Sequence, residues 1–216
     1  MPHPEIKAVI FDCDGTLVDS EPISLRVLLG KIAEQGLTVS HDDAMNRWAG
    51  GDLADVLKEV ESEIGRPLPG TFIDDFRAEQ MAELGRSVVA IDGAAELLRT
   101  LSKPRCVASN APVDKIRLCL KTTGLFEHFD EERIFSAYQL NAWKPRPDLF
   151  LHAAQQLDVA PANCAVVEDS LFGVEAGLNA GMRVFAYDIP REKLGNRSVT
   201  SIDDLTELIP IFAESR

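Results

Sequence analysis

Positive charge is scarce in this chain: 22 Lys and Arg stand against 35 Asp and Glu, a formal net charge of −13. No run of Lys or Arg interrupts that acidity, which excludes sequence-independent binding to nucleic acid or to an anionic membrane. Cysteine is sparse too. Cys13, Cys106, Cys119 and Cys164 are widely spaced and form no CxxC pair; three sit in or beside apolar runs, so they read as buried reduced thiols rather than a disulfide framework. No apolar segment approaches the length of a membrane span, and Met1-Pro2-His3-Pro4-Glu5 lacks the apolar stretch of a signal peptide. Together these predict a soluble, cytoplasmic protein. Internal repeats and linker-like tracts are also missing. What is present is a globular composition, 45% apolar and 26% charged over 216 residues, enough for one good-sized core or a core carrying a smaller insertion. An acidic protein binds an anionic substrate only by focusing cations locally, and a bound metal does so most directly.

Five short, β-branched, non-alternating apolar runs predict buried strands: Ala8–Phe11, Cys106–Ala108, Ile134–Phe135, Ala165–Val167 and Val184–Tyr187, with a weaker sixth at Val199–Ile202. Helical patterns separate most of them. Ala94–Leu101 follows Asp92 as a cap, Asp114–Thr122 ends at Gly124, Pro147 opens Asp148–Leu157, and Leu171–Ala180 ends at Gly181. Regular strand–helix alternation predicts an α/β core, a Rossmann-like parallel sheet covered on both faces. The stretch from the first strand to Asp92 holds no convincing strand. It reads as helices: Glu21–Gln35, a short helix capped by Ser40 and reaching Trp48, a stripe of Leu53, Val56, Leu57, Val60 and Ile64, and another of Phe72, Ile73, Phe76 and Leu84. Residues 20–88 are therefore expected to form an all-helical insertion in a discontinuous core of 1–19 and 89–216.

The chemistry is carried by the residues at the end of each strand, because loops at the carboxyl ends of an open parallel sheet line its ligand crevice. The first strand runs into Asp12-Cys13-Asp14-Gly15-Thr16, the second into Ser109-Asn110, the third toward Lys144-Pro145, and the fourth into Glu168-Asp169. Any one of these is an ordinary solvated loop group; four strand ends delivering complementary groups to one edge are not an accident. Asp12 and Asp14, at i and i+2 on extended chain, point the same way, and two such charges are costly unless a cation or proton intervenes. Gly15 lets backbone N–H groups turn toward an anion. Glu168 and Asp169 add hard oxygen donors of the kind Mg²⁺ selects, while Ser109 and Lys144 add a hydroxyl and a positive charge. The sum suits a phosphoryl group held beside Mg²⁺.

Asp12-Cys13-Asp14-Gly15-Thr16-Leu17-Val18-Asp19-Ser20 resembles the first motif of the haloacid dehalogenase superfamily, and Ser109, Lys144 and Glu168-Asp169-Ser170 match its other three motifs in order and spacing. The resemblance covers nearly the whole chain, including the insertion, which looks like the family's helical cap. It implies a phosphatase. Asp12 would be the nucleophile that forms an aspartyl-phosphate, and Asp14 the general acid and then the base. Mg²⁺ would be held by Asp12, Asp169 and the main-chain carbonyl of Asp14, with Glu168 close or acting through water. Ser109, the amide of Asn110 and Lys144 would bind the phosphoryl oxygens, and Lys144 would restrain the charge on Asp12.

Asp14 argues against a dehalogenase, which needs no proton donor there, and against a pump-like site that keeps its acyl-phosphate. Two alternatives stand beside the phosphatase: a sugar phosphomutase of the same family, and a catalytically idle ligand-binding relative. Mutase-like relatives commonly carry a His and a cap Arg where this chain has Ser24 and Leu53, after Ala49-Gly50-Gly51-Asp52. The run Asn141–Asp148 with His152-Ala153-Ala154 looks like a bacterial subgroup of sugar-phosphate phosphatases, some acting on 6-phosphogluconate. A sugar-acid phosphate would need a basic group on the cap; Arg77 is the first candidate, Arg47 the second, and Asp52 counts against. The expected partner is a small phosphate ester, taken by a monomer or weak dimer. Trp143 either floors the pocket or packs its loop. Cys13 reads as a small buried residue, Ser20 as the cap of the insertion's first helix, and Asp188 as a surface turn.

Overall fold

A computed structural model describes residues 4–48 and 53–213. Eight strands occur among them: β1 (Ala8–Phe11), β2 (Val18–Asp19), β3 (Val89–Ala90), β4 (Arg105–Ser109), β5 (Ile134–Ser136), β6 (Cys164–Glu168), β7 (Arg183–Tyr187) and β8 (Thr200–Ile202). Six of them form one parallel sheet in the order β5-β4-β1-β6-β7-β8. Each of the six runs predicted as strands falls on one of these; four strands extend a residue beyond the run, because a ladder can include polar ends such as Arg105 and Glu168, while β8 starts one residue after Val199.

Every residue of β1 is fully buried. Ala8 and Ile10 pack into a cluster with Leu149, Phe150, Ala153 and Val174, while Phe11 meets the ring of Phe129 edge-on at 6.3 Å. Successive side chains enter cores on opposite faces, so an uninterrupted apolar run is what this position demands. From β1 the chain builds β4 and β5 outward on one side, then returns to build β6, β7 and β8 on the other. That reversal places the sheet's switch point at the carboxyl end of β1, between β4 and β6.

The chain divides into two compact units, Met1–Asp19 with Val89–Arg216, and Ser20–Val88. The second unit holds α1 (Glu21–Glu34), α2 (His41–Trp48), α3 (Leu53–Ile64) and α4 (Phe72–Ser87). Its core gathers Val27, Leu28, Ile32, Ala44, Trp48, Val56, Leu57, Val60, Phe72 and Phe76. Ser40 caps α2: its Oγ accepts the N–H of Asp43 at 3.1 Å. Ile73, by contrast, leaves the expected apolar stripe and is 42% exposed.

The remaining helices belong to the first unit: α5 (Ala94–Thr100), α6 (Val113–Thr122), α7 (Ala137–Leu140), α8 (Asp148–Gln156), α9 (Leu171–Asn179), α10 (Arg191–Leu194) and α11 (Leu208–Ala213). Three local expectations are corrected. The N-cap of α5 is Gly93, at φ 81°, and not Asp92, because the entry turn needs a left-handed residue. Ser20 occupies the N-cap position of α1, yet its side chain makes no capping bond. The stretch before Asp92 does contain strand: β2 and β3 pair antiparallel, Val18 opposite Ala90 and Asp19 opposite Val89. No helix among the described residues is long and apolar enough to cross a membrane.

Candidate active site

Asp12 follows β1 directly and its N–H donates to Val167 O at 3.0 Å, so the ladder to β6 holds it at the sheet's edge. Only 7% of the residue is exposed. The next four residues make a tight turn in which Gly15 N donates to Val18 O and Leu17 N to Cys13 O, both at 2.9 Å. Gly15 sits at φ 76°, and a Cβ there would fall 2.1 Å from Asp169 Oδ2. The glycine thus serves both the turn and the close approach of a carboxylate. Thr16, fully buried, donates its hydroxyl to Asp169 Oδ1 at 2.7 Å.

At the end of β4, Ser109 Oγ accepts the N–H of Ala111 at 3.1 Å, and Asn110 Oδ1 accepts the backbone N–H of Lys144 at 3.0 Å. Lys144 precedes a cis proline and lies on the loop that follows α7. Its buried ammonium donates to Asp12 Oδ1 at 2.5 Å and to Glu168 Oε1, and stands 4.9 Å over the ring of Phe150. Glu168 ends β6; its Oε2 accepts from Ser170 N at 3.0 Å and Ser170 Oγ at 2.8 Å. Ser170 Oγ in turn accepts Gly173 N at 3.0 Å, capping α9.

Carboxylate oxygens of Asp12, Glu168 and Asp169 all lie within 4.8 Å of one another. Three carboxylates against one buried ammonium leave the cluster short of positive charge. Burial pushes the Asp12 carboxyl up to about 7; Lys144 pulls it down, but the charge of Glu168 adds to the rise. Burial alone would lower Lys144, but Asp12 and Glu168 reverse that and hold it charged. An all-oxygen, acid-rich donor set of this kind fits a hard divalent cation. Asp14 stands apart: its Oδ1 pairs with Lys115 Nζ at 2.8 Å, and its carboxylate is not part of the triad.

A family model, haloacid dehalogenase-like hydrolase, matches residues 6–181, most of the chain. The protein is a haloacid dehalogenase-like hydrolase. It is 35% identical over 206 residues to the 6-phosphogluconate phosphatase of Escherichia coli strain K12, an alignment covering 94% of this chain and 93% of that one. Among solved structures it resembles a haloacid dehalogenase-like protein of unknown function from Agrobacterium tumefaciens (TM-score 0.83, 35% identity, 96% of this chain and 98% of the other). It also resembles a hydrolase of this family from Deinococcus radiodurans with bound phosphate and sodium (TM-score 0.78, 32% identity, 97% and 96% covered).

Within the hydrolase, the structure brings Asp12, Lys144, Glu168 and Asp169 together, and ties Asn110 to the backbone of Lys144. Arg47 has other work: it pairs with Glu59 and Glu63 and lies 5.1 Å over the Trp48 ring, all inside the helical unit. Arg77 is exposed on α4. The loop carrying Asp52 lies outside the described residues. Ser24 bonds within the helical unit, to Ser20 O at 2.9 Å and to Gln80 Nε2 at 2.8 Å. Trp143 is 40% exposed and meets Tyr138 edge-on at 5.5 Å. Cys13 is buried, and burial first, then Asp14 and Asp12, push its thiol well up, which keeps it protonated. Asp188 is exposed at φ 51°, a surface turn.

Sequence reasoning missed Lys115 and Gly173, and it quoted Thr16 and Ser170 within their motifs without giving either a role. The signal available for Lys115 was its place in the first turn of the helix that leaves β4, at the crevice edge.

Proposed function

We propose that this haloacid dehalogenase-like phosphatase hydrolyses a small phosphorylated metabolite, a sugar phosphate or a sugar-acid phosphate such as 6-phosphogluconate, with Mg²⁺ and through an aspartyl-phosphate. The observation that carries the reading is Asp12, buried at the switch point, clamped by Lys144 and flanked by two further carboxylates. Like charges are gathered there at a cost that only a cation and an incoming phosphoryl group make worthwhile.

An oxygen of Asp12 attacks phosphorus, and the bond from phosphorus to the ester oxygen breaks. Asp14 gives that oxygen its proton, so the alcohol leaves neutral. Asp14 then takes a proton from water as the water oxygen attacks phosphorus, and the acyl-phosphate bond to Asp12 breaks to release inorganic phosphate. Lys144 and the Ser109 hydroxyl offset the charge on the phosphoryl oxygens. Asn110, whose Oδ1 is committed to Lys144 N, offers its Nδ2 hydrogens. Asp12, Asp169 and the main-chain carbonyl of Asp14 would hold Mg²⁺, with Glu168 beside them; when bound, the ion supplies charge neutralisation at the transferring group. The helical unit would act as a cap, with Arg77 as its basic group toward a sugar-acid carboxylate.

Phosphate release from p-nitrophenyl phosphate and from a panel of sugar phosphates, sugar-acid phosphates and nucleotides tests this. Activity that vanishes in EDTA and in Asp12→Asn, with a sugar-acid or sugar phosphate ranking highest in kcat/KM, supports the reading. Full activity in Asp12→Asn ends it, and a strong preference for nucleotides replaces the substrate class.

A further inference from the structure

Two aspartates two residues apart emerge from one strand, yet they end in different company. The carboxylates that cluster with Asp12 come from the β6 side of β1, where Glu168 and Asp169 follow one another, and Lys144, from the loop after β5 and α7, reaches in between Asp12 and Glu168. Asp14 is held from the opposite side. Lys115, in the first turn of α6 after β4, places its Nζ 2.8 Å from Asp14 Oδ1, with only 14% of the lysine side chain and 21% of the aspartate side chain exposed. A lysine so far withdrawn from water is held by a partner rather than by chance, because solvent-exposed ammonium groups gain little from such pairs.

We propose that Lys115 is a positioning residue for Asp14: it draws this carboxylate to the β4 side, out of the Asp12–Glu168–Asp169 triad, and keeps it available for proton transfer instead of metal coordination. The inference rests on the phosphatase reading above and deepens it. A divalent cation held by the triad keeps coordination positions open and attracts any mobile carboxylate within reach. Asp14, two residues along the chain from Asp12, is the carboxylate best placed to be taken. The lysine on the far side opposes that collapse by offering Asp14 a competing partner. One strand end thereby supplies two chemically distinct acids, a nucleophile and a proton-transfer group, sorted by two lysines that arrive from different loops.

The test compares wild type, Lys115→Met and Lys115→Arg on phosphate esters of graded leaving group, from p-nitrophenyl phosphate to an alkyl phosphate, alongside Mg²⁺ titration by calorimetry. A good leaving group departs without a proton, so it is insensitive to a misplaced acid; a poor one is not. In Lys115→Met, kcat on the alkyl ester is expected to fall about 100-fold and on the aryl ester less than about 3-fold, with KM little changed. Mg²⁺ is expected to bind more tightly as Asp14 joins the triad, and Lys115→Arg is expected to restore both readouts. Equal losses across the leaving groups, or an unchanged Mg²⁺ affinity, overturn the proposal. Should Lys115→Met fail to fold, Lys115→Gln, which keeps a donor without the charge, carries the same comparison. Asp12→Asn is assayed in parallel. Activity retained there removes the phosphatase reading itself, whereas an inactive Asp12→Asn with a uniform Lys115 effect removes only the role of Lys115.

Discussion

Asn110 Oδ1 accepts the backbone N–H of Lys144 at 3.0 Å, across 34 residues of sequence. One side chain thus ties the loop leaving β4 to the loop that carries the buried ammonium, and Ser136 Oγ reinforces the link by donating to Ala111 O at 2.6 Å. The reach of Lys144 into the acidic cluster depends on that tether.

Replacing Asn110 by Ala frees the Lys144 loop and strands its N–H. A buried donor left unpaired costs about 1–3 kcal/mol. The expected result is a lower melting temperature with kcat reduced about tenfold, the order expected when a charge-stabilising group is displaced by a fraction of an ångström. Thermal melts and steady-state kinetics check both.

Gly173 is the second point of sensitivity. A Cβ there would lie 1.8 Å from Glu168 Cδ, inside the carboxylate itself. Alanine normally favours a helix interior over glycine by about 0.8–1.0 kcal/mol. Here the clash outweighs that gain: Gly173→Ala is expected to destabilise by about 1–3 kcal/mol, the usual cost of overpacking, and to push Glu168 off Lys144. Weaker Mg²⁺ binding in calorimetry, with a native circular dichroism spectrum, is the signature; an unchanged Mg²⁺ affinity would show that α9 shifts instead.

Lys144→Met leaves Asp12 and Glu168 buried with no ammonium between them. Breaking a buried pair by removing one partner costs about 3–5 kcal/mol. Melting in EDTA is therefore expected to occur far below wild type. Saturating Mg²⁺ should recover part of the loss, since a ligand at about 100 times its Kd contributes about 2.7 kcal/mol to the folded state. Identical melts with and without Mg²⁺ would show that the triad does not take the ion.

Substitutions at Arg77 and Arg47 separate the recognition role proposed for Arg77 from the packing of Arg47 against Glu59 and Glu63. Arg77→Ala is expected to raise KM for 6-phosphogluconate about tenfold while leaving KM for p-nitrophenyl phosphate within about twofold, the KM-selective pattern of a lost ground-state contact. Arg47→Ala, which removes the partner of Glu59 and Glu63, is expected to lower the melting temperature of the helical unit without discriminating between the two substrates. The reverse pattern would exchange their roles.

Much of the sheet was legible because a parallel strand buried on both faces must be an uninterrupted apolar run, as Ala8–Phe11 is. The strand-end groups were legible for a related reason: the polar residue that breaks such a run marks the crevice edge. β2 and β3 were not legible, since two residues carry no periodicity and their pairing joins positions on either side of the helical unit. Asp92 resembles a helix cap in any one-dimensional reading; that the turn requires the positive φ of Gly93 shows only in three dimensions. The Lys115–Asp14 pair escaped because a place in the first turn after β4 puts a lysine near the crevice without showing whether its side chain faces the crevice or water.

The antiparallel couple of β2 and β3 has a topological corollary. Residues 19 and 89 stand opposite each other, so the chain departs and returns at one address, and everything from Ser20 to Val88 hangs on what is formally the tip of a hairpin. Segments inserted at such a point can lengthen, shrink or be exchanged during evolution without altering the register of a single ladder in the main sheet. The helical unit is thereby free to change at a different speed from the sheet that carries Asp12 and Glu168.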